Sequence, residues 1–244
     1  MRVSVILPAA GLGTRMTRCV SGAGSRKQFL PLDGVPLFLY TARKFAECEA
    51  VVEILVAVRP EDVEWTQGVA DGAHLSKPVK VVEGGDARQD SVDRALAHVD
   101  PGVELVAVHD AVRPFIDRPT IEAVFAEAAR SGAAIVGIVP VDTVKQVEPR
   151  PENRIAVRST IPRDHLVLAQ TPQVFRYDLL WRAFAAARAD GFVGTDEASL
   201  VERLDEVEVS VVAGTDRNIK ITKPGDLELA RLFLQTEQAG QVRP

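Results

Sequence analysis

The sequence predicts a doubly wound α/β fold, a mostly parallel sheet with helices on both faces, and two observations carry that expectation. Short, nearly all-apolar β-branched runs recur along the chain, and stretches with helical spacing of apolar residues lie between them. A strand that is apolar on both sides must be covered on both sides, and strands that alternate with helices build parallel crossovers. A third observation qualifies the picture: one polar, proline-marked excursion at 140–173 interrupts the alternation.

The strands are expected at 3–7, 51–58, 79–82, 105–108, 133–139 and 207–212, each a run rich in Val, Ile, Leu or Ala. A helix at 36–49 begins with Pro36 at a first-turn position, where the missing N–H costs nothing. The stretch 88–99 places Val92, Ala95, Leu96 and Val99 on one face, and 119–130 repeats the pattern. Further helices are expected at 177–189, 196–204 and 224–234. In the excursion, Val141, Thr143, Val144 and Val147 are followed by Pro149, Pro151 and Asn153, then by Ile155, Val157 and Thr160. This reads as two strands around a turn, a projecting hairpin arm within a single domain spanning 1–244. Its Val and Ile residues can pair with a second subunit or fold back on their own domain.

Composition narrows the function. Lys plus Arg number 29 against 34 Asp plus Glu, a net charge of −5, with 5% aromatic residues. There is no basic stripe and no set of interleaved stacking residues, so nucleic-acid binding is not expected. Cys19 and Cys48 give neither a disulfide framework nor zinc spacing. No apolar run approaches the roughly 18 residues of a membrane span, and the chain opens on a strand rather than a signal peptide. The expected location is the cytoplasm.

In sheets of this kind ligands sit beyond the carboxyl ends of the strands. The first strand ends in Pro8-Ala9-Ala10-Gly11-Leu12-Gly13-Thr14-Arg15-Met16, whose small residues let the backbone approach a phosphate. Gly11 and Gly13 fit a phosphate-cradling loop or only a tight turn; the dinucleotide fingerprint and the P-loop both fail on residue identity. Arg15 supplies the loop with its own cation. After a Gly- and Ser-rich stretch comes Lys27, in a chain with 7 Lys among its 29 cations. A compact ammonium suits contact with several phosphate oxygens in turn, although a solvated surface Lys is the plainer reading.

The third strand ends in Glu83-Gly84-Gly85-Asp86-Ala87-Arg88-Gln89-Asp90-Ser91. Gly85, Asp86 and Ser91 can offer backbone and side-chain partners to a base edge, or Asp86 can simply cap a helix. The fourth ends in His109-Asp110-Ala111-Val112-Arg113-Pro114. There Asp110 can bind Mg²⁺ and Arg113 a phosphate, against the alternative of a structural Asp–Arg pair; His109 reads as a hydrogen-bonded core imidazole. Thr195 in Gly194-Thr195-Asp196-Glu197-Ala198-Ser199 can donate to an anion or serve as an ordinary N-cap. Lys220 lies between Ile219 and Ile221, and a cation so placed calls for an anionic partner. The four His show no metal-ligand spacing, and no Gly-x-Ser-x-Gly occurs. The inventory fits phosphoryl or nucleotidyl transfer, where positioning and charge neutralisation dominate.

These motifs together resemble the 2-C-methyl-D-erythritol 4-phosphate cytidylyltransferases. Pro8-Ala-Ala-Gly-x-Gly-x-Arg15-Met, Lys27-Gln28, Gly85-Asp86-x-Arg88-x-x-Ser91, His109-Asp110-x-x-Arg113-Pro114, Thr171-Pro172-Gln173, Thr195-Asp196-Glu197-Ala198-Ser199 and Asn218-Ile219-Lys220 occur in order. The resemblance implies a Rossmann-like homodimer joined by its hairpin arms, using CTP and Mg²⁺. It implies that Arg15, Lys27 and Lys220 bind triphosphate and that Ala9, Ala10, Gly85, Asp86 and Ser91 contact cytidine. Asp110 would lie near metal and acceptor, while Arg113, Thr143, Thr195 and Arg163 would hold methylerythritol phosphate, Arg163 reaching into the neighbouring subunit. The ribitol 5-phosphate cytidylyltransferases are the nearest rival, which Val112 favours; Pro8-Ala-Ala-Gly and Thr195-Asp-Glu-Ala-Ser resemble the methylerythritol branch. A non-catalytic nucleotide-binding regulator is a second alternative.

Overall fold

The computed structural model describes residues 1–11 and 26–241, with side chains up to 237 in the last helix. In chain order the elements are β1 (Val3–Pro8), a short ribbon of β2 (Pro31–Leu32) and β3 (Val35–Pro36), α1 (Leu37–Ala46), β4 (Val51–Val58), α2 (Val63–Gly72), β5 (Val79–Glu83) and α3 (Arg88–Leu96). There follow β6 (Leu105–Val108), α4 (Arg118–Ser131), β7 (Ala133–Ile138), the hairpin β8 (Val144–Arg150) and β9 (Arg154–Ile161), and β10 (Leu168–Arg176). The chain closes with α5 (Tyr177–Asp190), α6 (Glu197–Glu202), β11 (Ser210–Ala213) and α7 (Pro224–Gln241).

Among the described residues, seven strands form the central sheet in the order β11-β7-β10-β6-β1-β4-β5. Only β10 runs antiparallel to its neighbours β6 and β7; the other pairings are parallel. The predicted doubly wound sheet is therefore present. Strand order reverses at β1, which pairs with β4 on one side and β6 on the other. That switch point opens a crevice beyond the carboxyl ends of β1, β5 and β6.

Period-2 alternation explains how one sheet feeds two cores. Val3, Val5 and Leu7 of β1 pack with Phe38, Ala42 and Phe45 of α1 and with Ile121, Val124 and Phe125 of α4. Ile6 faces the other way, toward Val92 and Leu96 of α3 and Leu179, Leu180 and Phe184 of α5. A third cluster seats Ala230 and Leu234 of α7 on Leu30, Leu32, Val112 and Phe115. Helix α4 starts at Asp117, whose carboxylate accepts from the Thr120 N–H at 2.8 Å, and stops at Gly132, held at φ 95°, a left-handed conformation that favours glycine. No helix among the described residues is long and apolar enough to cross a membrane.

Three expectations change. The excursion at 140–173 is divided: Val144–Ile161 make the hairpin, whereas Leu168–Arg176 return to the central sheet as β10. Helix α2 was not foreseen, because Gly68 and Gly72 weaken its pattern. The strand expected at 207–212 is the shorter Ser210–Ala213. Cys48 follows α1, and its thiol is buried and pushed up to about 11 chiefly by that burial; Cys19 lies outside the described residues.

Candidate active site

The crevice is lined by Pro8, Ala9, Ala10, Gly11, Lys27, Gln28, Gly85, Asp86, Ala87, Arg88, Ser91, Asp110, Val112 and Lys220. Nine residues singled out in the sequence meet there: Ala9, Ala10, Gly11, Lys27, Gly85, Asp86, Ser91, Asp110 and Lys220. Gly13 and Arg15 lie outside the described residues.

Backbone pairing builds the floor. The Ala9 N–H donates to the Ala57 carbonyl at 2.7 Å, extending β1 past its end. Buried Gln28 donates through Nε2 to the Ala9 carbonyl and, at 3.2 Å, to that of Gly11. One amide thus fastens the turn at Lys27–Phe29 to the glycine loop and sets Lys27 on the wall. Opposite, the Gly84 N–H donates to the Val58 carbonyl at 2.6 Å. The Ser91 hydroxyl accepts from the Gly85 N–H at 3.1 Å and donates to the Ala87 carbonyl at 2.9 Å. Asp90, not Asp86, serves the helix start, accepting from the Ala87 N–H at 3.2 Å. Likewise Asp196, not Thr195, caps α6 by accepting from the Ser199 N–H at 3.0 Å. Neither Asp86 nor Thr195 is used as the cap that was its plainer reading.

Asp110 is the electrostatic centre. Lys220 Nζ lies 2.8 Å and Arg113 Nε 3.4 Å from its Oδ2, and Arg88 Nε lies 3.2 Å from its Oδ1. Burial alone would push this carboxyl up, but Arg88, Lys220 and Arg113 together hold it well below the usual carboxylate range. The anionic partner called for by Lys220 is Asp110, although residues 218–222 form no strand. Arg88 also donates through Nη1 to both oxygens of Glu197, at 2.7 and 2.9 Å. Burial pushes Glu197 up, with Arg88 opposing it.

Beneath Asp110 lies a closed chain of hydrogen bonds. Its N–H donates to Thr171 Oγ1 at 3.0 Å; Thr171 Oγ1 is 3.1 Å from His109 Nδ1; and His109 Nε2 is 3.1 Å from the Arg113 carbonyl. A carbonyl can only accept, so Nε2 carries the proton and Nδ1 accepts from the Thr171 hydroxyl. Burial lowers the imidazole to about 4. His109 is the core imidazole anticipated, neutral and with both nitrogens occupied. Thr171 reaches it because the β10 register against β7 slips between Ala169 and Gln173, a bulge that re-aims a side chain.

The remaining acceptor-side candidates are spread out. Arg113 borders the cleft through Asp110 and donates through Nη1 to the Asn218 carbonyl at 2.6 Å. Thr195 lines a smaller hollow on the far side of Arg88, with Val193, Gly194 and Glu197. Thr143 is exposed before the hairpin, and Arg163, exposed after it, donates to the Val141 carbonyl; neither lines the cleft of its own chain. Sequence reasoning gave no role to Gln28, Arg88 or Glu197. Among the described residues no three His, Cys, Asp or Glu side chains cluster as a metal site.

A family model described as 2-C-methyl-D-erythritol 4-phosphate cytidylyltransferase matches residues 3–236. A protein of that name from Solibacter usitatus is 61% identical over 241 residues, covering 98% of both chains. One from Acidobacterium capsulatum is 53% identical over 236 residues, covering 96% of this chain and 98% of its own. The crystal structure of the enzyme of that name from Thermus thermophilus superposes with a TM-score of 0.75 at 35% identity, covering 96% of this chain and 100% of its own. With a match across nearly the full chain and the motif residues gathered at one switch point, this chain belongs to the 2-C-methyl-D-erythritol 4-phosphate cytidylyltransferase family.

Proposed function

We propose that the protein transfers CMP from CTP to 2-C-methyl-D-erythritol 4-phosphate, forming 4-diphosphocytidyl-2-C-methyl-D-erythritol and pyrophosphate in the non-mevalonate isoprenoid pathway, as a cytoplasmic homodimer. The observation that carries this reading is the convergence of Lys27 and Lys220 on a glycine-edged crevice at the strand-order reversal. There the small residues Ala9, Ala10 and Gly11 admit a triphosphate and Gly85, Asp86 and Ser91 face the base.

The acceptor phosphate has a second pKa near ~6, so at neutral pH it is already a dianion and needs no general base. His109, buried with both ring nitrogens engaged, is not positioned to act as one. A phosphate oxygen of the acceptor attacks the α-phosphorus of CTP, a P–O bond forms, and the bond to the β-phosphate breaks to release pyrophosphate. Lys27, Lys220 and Arg15 neutralise the triphosphate and the leaving group. Arg113, Thr143, Thr195 and, from the second subunit, Arg163 orient the acceptor.

Both Asp110 oxygens already face cations, and among the described residues no three-carboxylate cage surrounds it. That donor set fits Mg²⁺ carried mainly by phosphate oxygens with Asp110 as a single protein ligand, the usual habit of this ion. When bound, Mg²⁺ supplies charge neutralisation on the triphosphate. The reading is tested by pyrophosphate release from CTP and Mg²⁺ with methylerythritol 4-phosphate or ribitol 5-phosphate as acceptor. Release with the first and not the second is expected; release with ribitol phosphate alone overturns the acceptor, and release with neither overturns the activity.

A further inference from the structure

Glu197 takes no part in the chemistry above, yet it is only 1% exposed. A buried carboxylate persists only where it is paired, and both its oxygens accept from Arg88. Holding the two segments together does not require this pair. Gln89 already joins α3 to the loop that precedes α6, donating to the Phe192 carbonyl at 3.0 Å and accepting from the Gly194 N–H at 2.8 Å. Gln173 joins β10 to α6, donating to Asp196 at 2.7 Å and accepting from the Ala198 N–H at 3.0 Å. What the pair does distinctively is place the Arg88 guanidinium on Oδ1 of Asp110, leaving Lys220 and Arg113 to share Oδ2.

We propose that Glu197 is a positioning residue acting through Arg88: by fixing the guanidinium on one oxygen of Asp110 it confines Lys220 and Arg113 to the other, which keeps these two cations available to phosphate. The inference rests on the reading of Lys220 and Arg113 as phosphate contacts. Two cations that share one oxygen are each held less firmly than two with an oxygen apiece, so each transfers to an incoming phosphate more readily. The Arg113 Nε contact is already long at 3.4 Å. Were Arg88 released, Oδ1 would be open, and Arg113 would close on Asp110 as a two-pronged pair. The cation meant for phosphate would then be spent on the protein.

The test is Glu197→Gln, which keeps the shape and removes the charge. Turnover per CTP-binding site is expected to fall by about tenfold to a hundredfold, and the KM for CTP to rise with the weakened grip on its triphosphate. Glu197→Asp, which restores the charge, is expected to recover part of the loss, and in an Arg88→Met background Glu197→Gln is expected to add nothing further. A readout independent of turnover is binding of inorganic pyrophosphate, expected to weaken about tenfold while cytidine binding is unchanged. If Glu197 only props the fold, the melting temperature drops while turnover per binding site and pyrophosphate affinity stay at parental values, and the proposal is overturned. Should Glu197→Gln fail to fold, Arg88→Met carries the same expectation: normal cytidine binding with weakened pyrophosphate binding supports the role, and parental values for both sink it. A parent protein that binds pyrophosphate but turns over no acceptor would overturn the proposed function alone, because the pyrophosphate comparison still decides the role of Glu197.

Discussion

In the proposed reaction Lys27 would meet a requirement that differs from that of an ordinary ligand-binding cation, since it would hold a triphosphate and then let pyrophosphate go. It lines the cleft one residue before Gln28, whose amide is tied to the Ala9 and Gly11 carbonyls, so its backbone is fixed at the edge of the glycine loop. Replacing it with Ala is expected to remove about 2–4 kcal/mol of transition-state stabilisation, the scale of one lost oxyanion donor, read as the fall in kcat under saturating CTP. A loss below about tenfold would exclude the role. His109 gives a prediction of a different kind. Its imidazole titrates near ~6.5 when unfolded and at about 4 when buried here, so between those values the unfolded chain binds more protons. The stability contributed by the neutral ring is therefore fully present above pH 6.5 and is lost as pH falls toward 4. Urea unfolding of the metal-free protein should show a loss of about 2 kcal/mol from this source between pH 7 and pH 5. Burial pushes Glu197 in the opposite sense, so the comparison is made with His109→Gln, which starts less stable and lacks this part of the slope. Equal slopes in the two proteins would place the imidazole's titration elsewhere.

At the scale of elements, the cleft depends on how closely the ends of β1 and β5 approach. A Cβ on Gly84 would lie 2.8 Å from Ala10 Cβ and 3.2 Å from the Val58 carbonyl, so no side chain fits without moving the floor. Gly84→Ala is expected to cost about 1–3 kcal/mol, the range for overpacking, and to weaken cytidine binding; an unchanged melting temperature would show that the strand ends yield freely. Such close approach also explains what could be read from sequence. Apolar runs bury on both faces, so strands such as Val51–Val58 and Leu105–Val108 fell where expected, and Asp110, just past the second of them, lies in the cleft. Strand β10 did not, because Gln170, Thr171, Pro172 and Gln173 read as the polar return of an arm. Their side chains are buried by a network instead: Thr171 with Asp110 and His109, Gln170 with Asn218, and Gln173 with Asp196 and Ala198. Polar residues that satisfy one another in the interior carry no periodic signal. The Arg88–Glu197 pair was unreadable for a related reason: 109 positions separate its members, and nothing local in either segment names the other.

At the scale of the molecule, the hairpin β8–β9 leaves the protein's outline unfinished. Val141, Val147, Ile155 and Val157 are 80%, 51%, 72% and 63% exposed, and a lone two-stranded ribbon is marginal in water. Apolar surface on such a ribbon is best accounted for by a covering partner. On the proposed reading a second copy of the chain would supply that cover and would bring Arg163, which lines no cleft of its own chain, to the acceptor side of the other. The expected particle is a dimer of 26.4 kDa chains, and Val157→Asp is expected to yield monomers by sedimentation with little turnover. Complementation separates cover from chemistry. Homodimers of Lys27→Ala and of Arg163→Ala should each be nearly inactive. If Arg163 acts across the interface, mixing them and allowing exchange places both lesions in one site of each heterodimer and leaves the other site intact. Random pairing then makes about half the dimers mixed, and about a quarter of all sites regain parental activity. If Arg163 serves its own subunit, every site in the mixture keeps one lesion and no activity returns. The exchanged mixture therefore distinguishes an arm that only holds the dimer together from one that completes the neighbouring site.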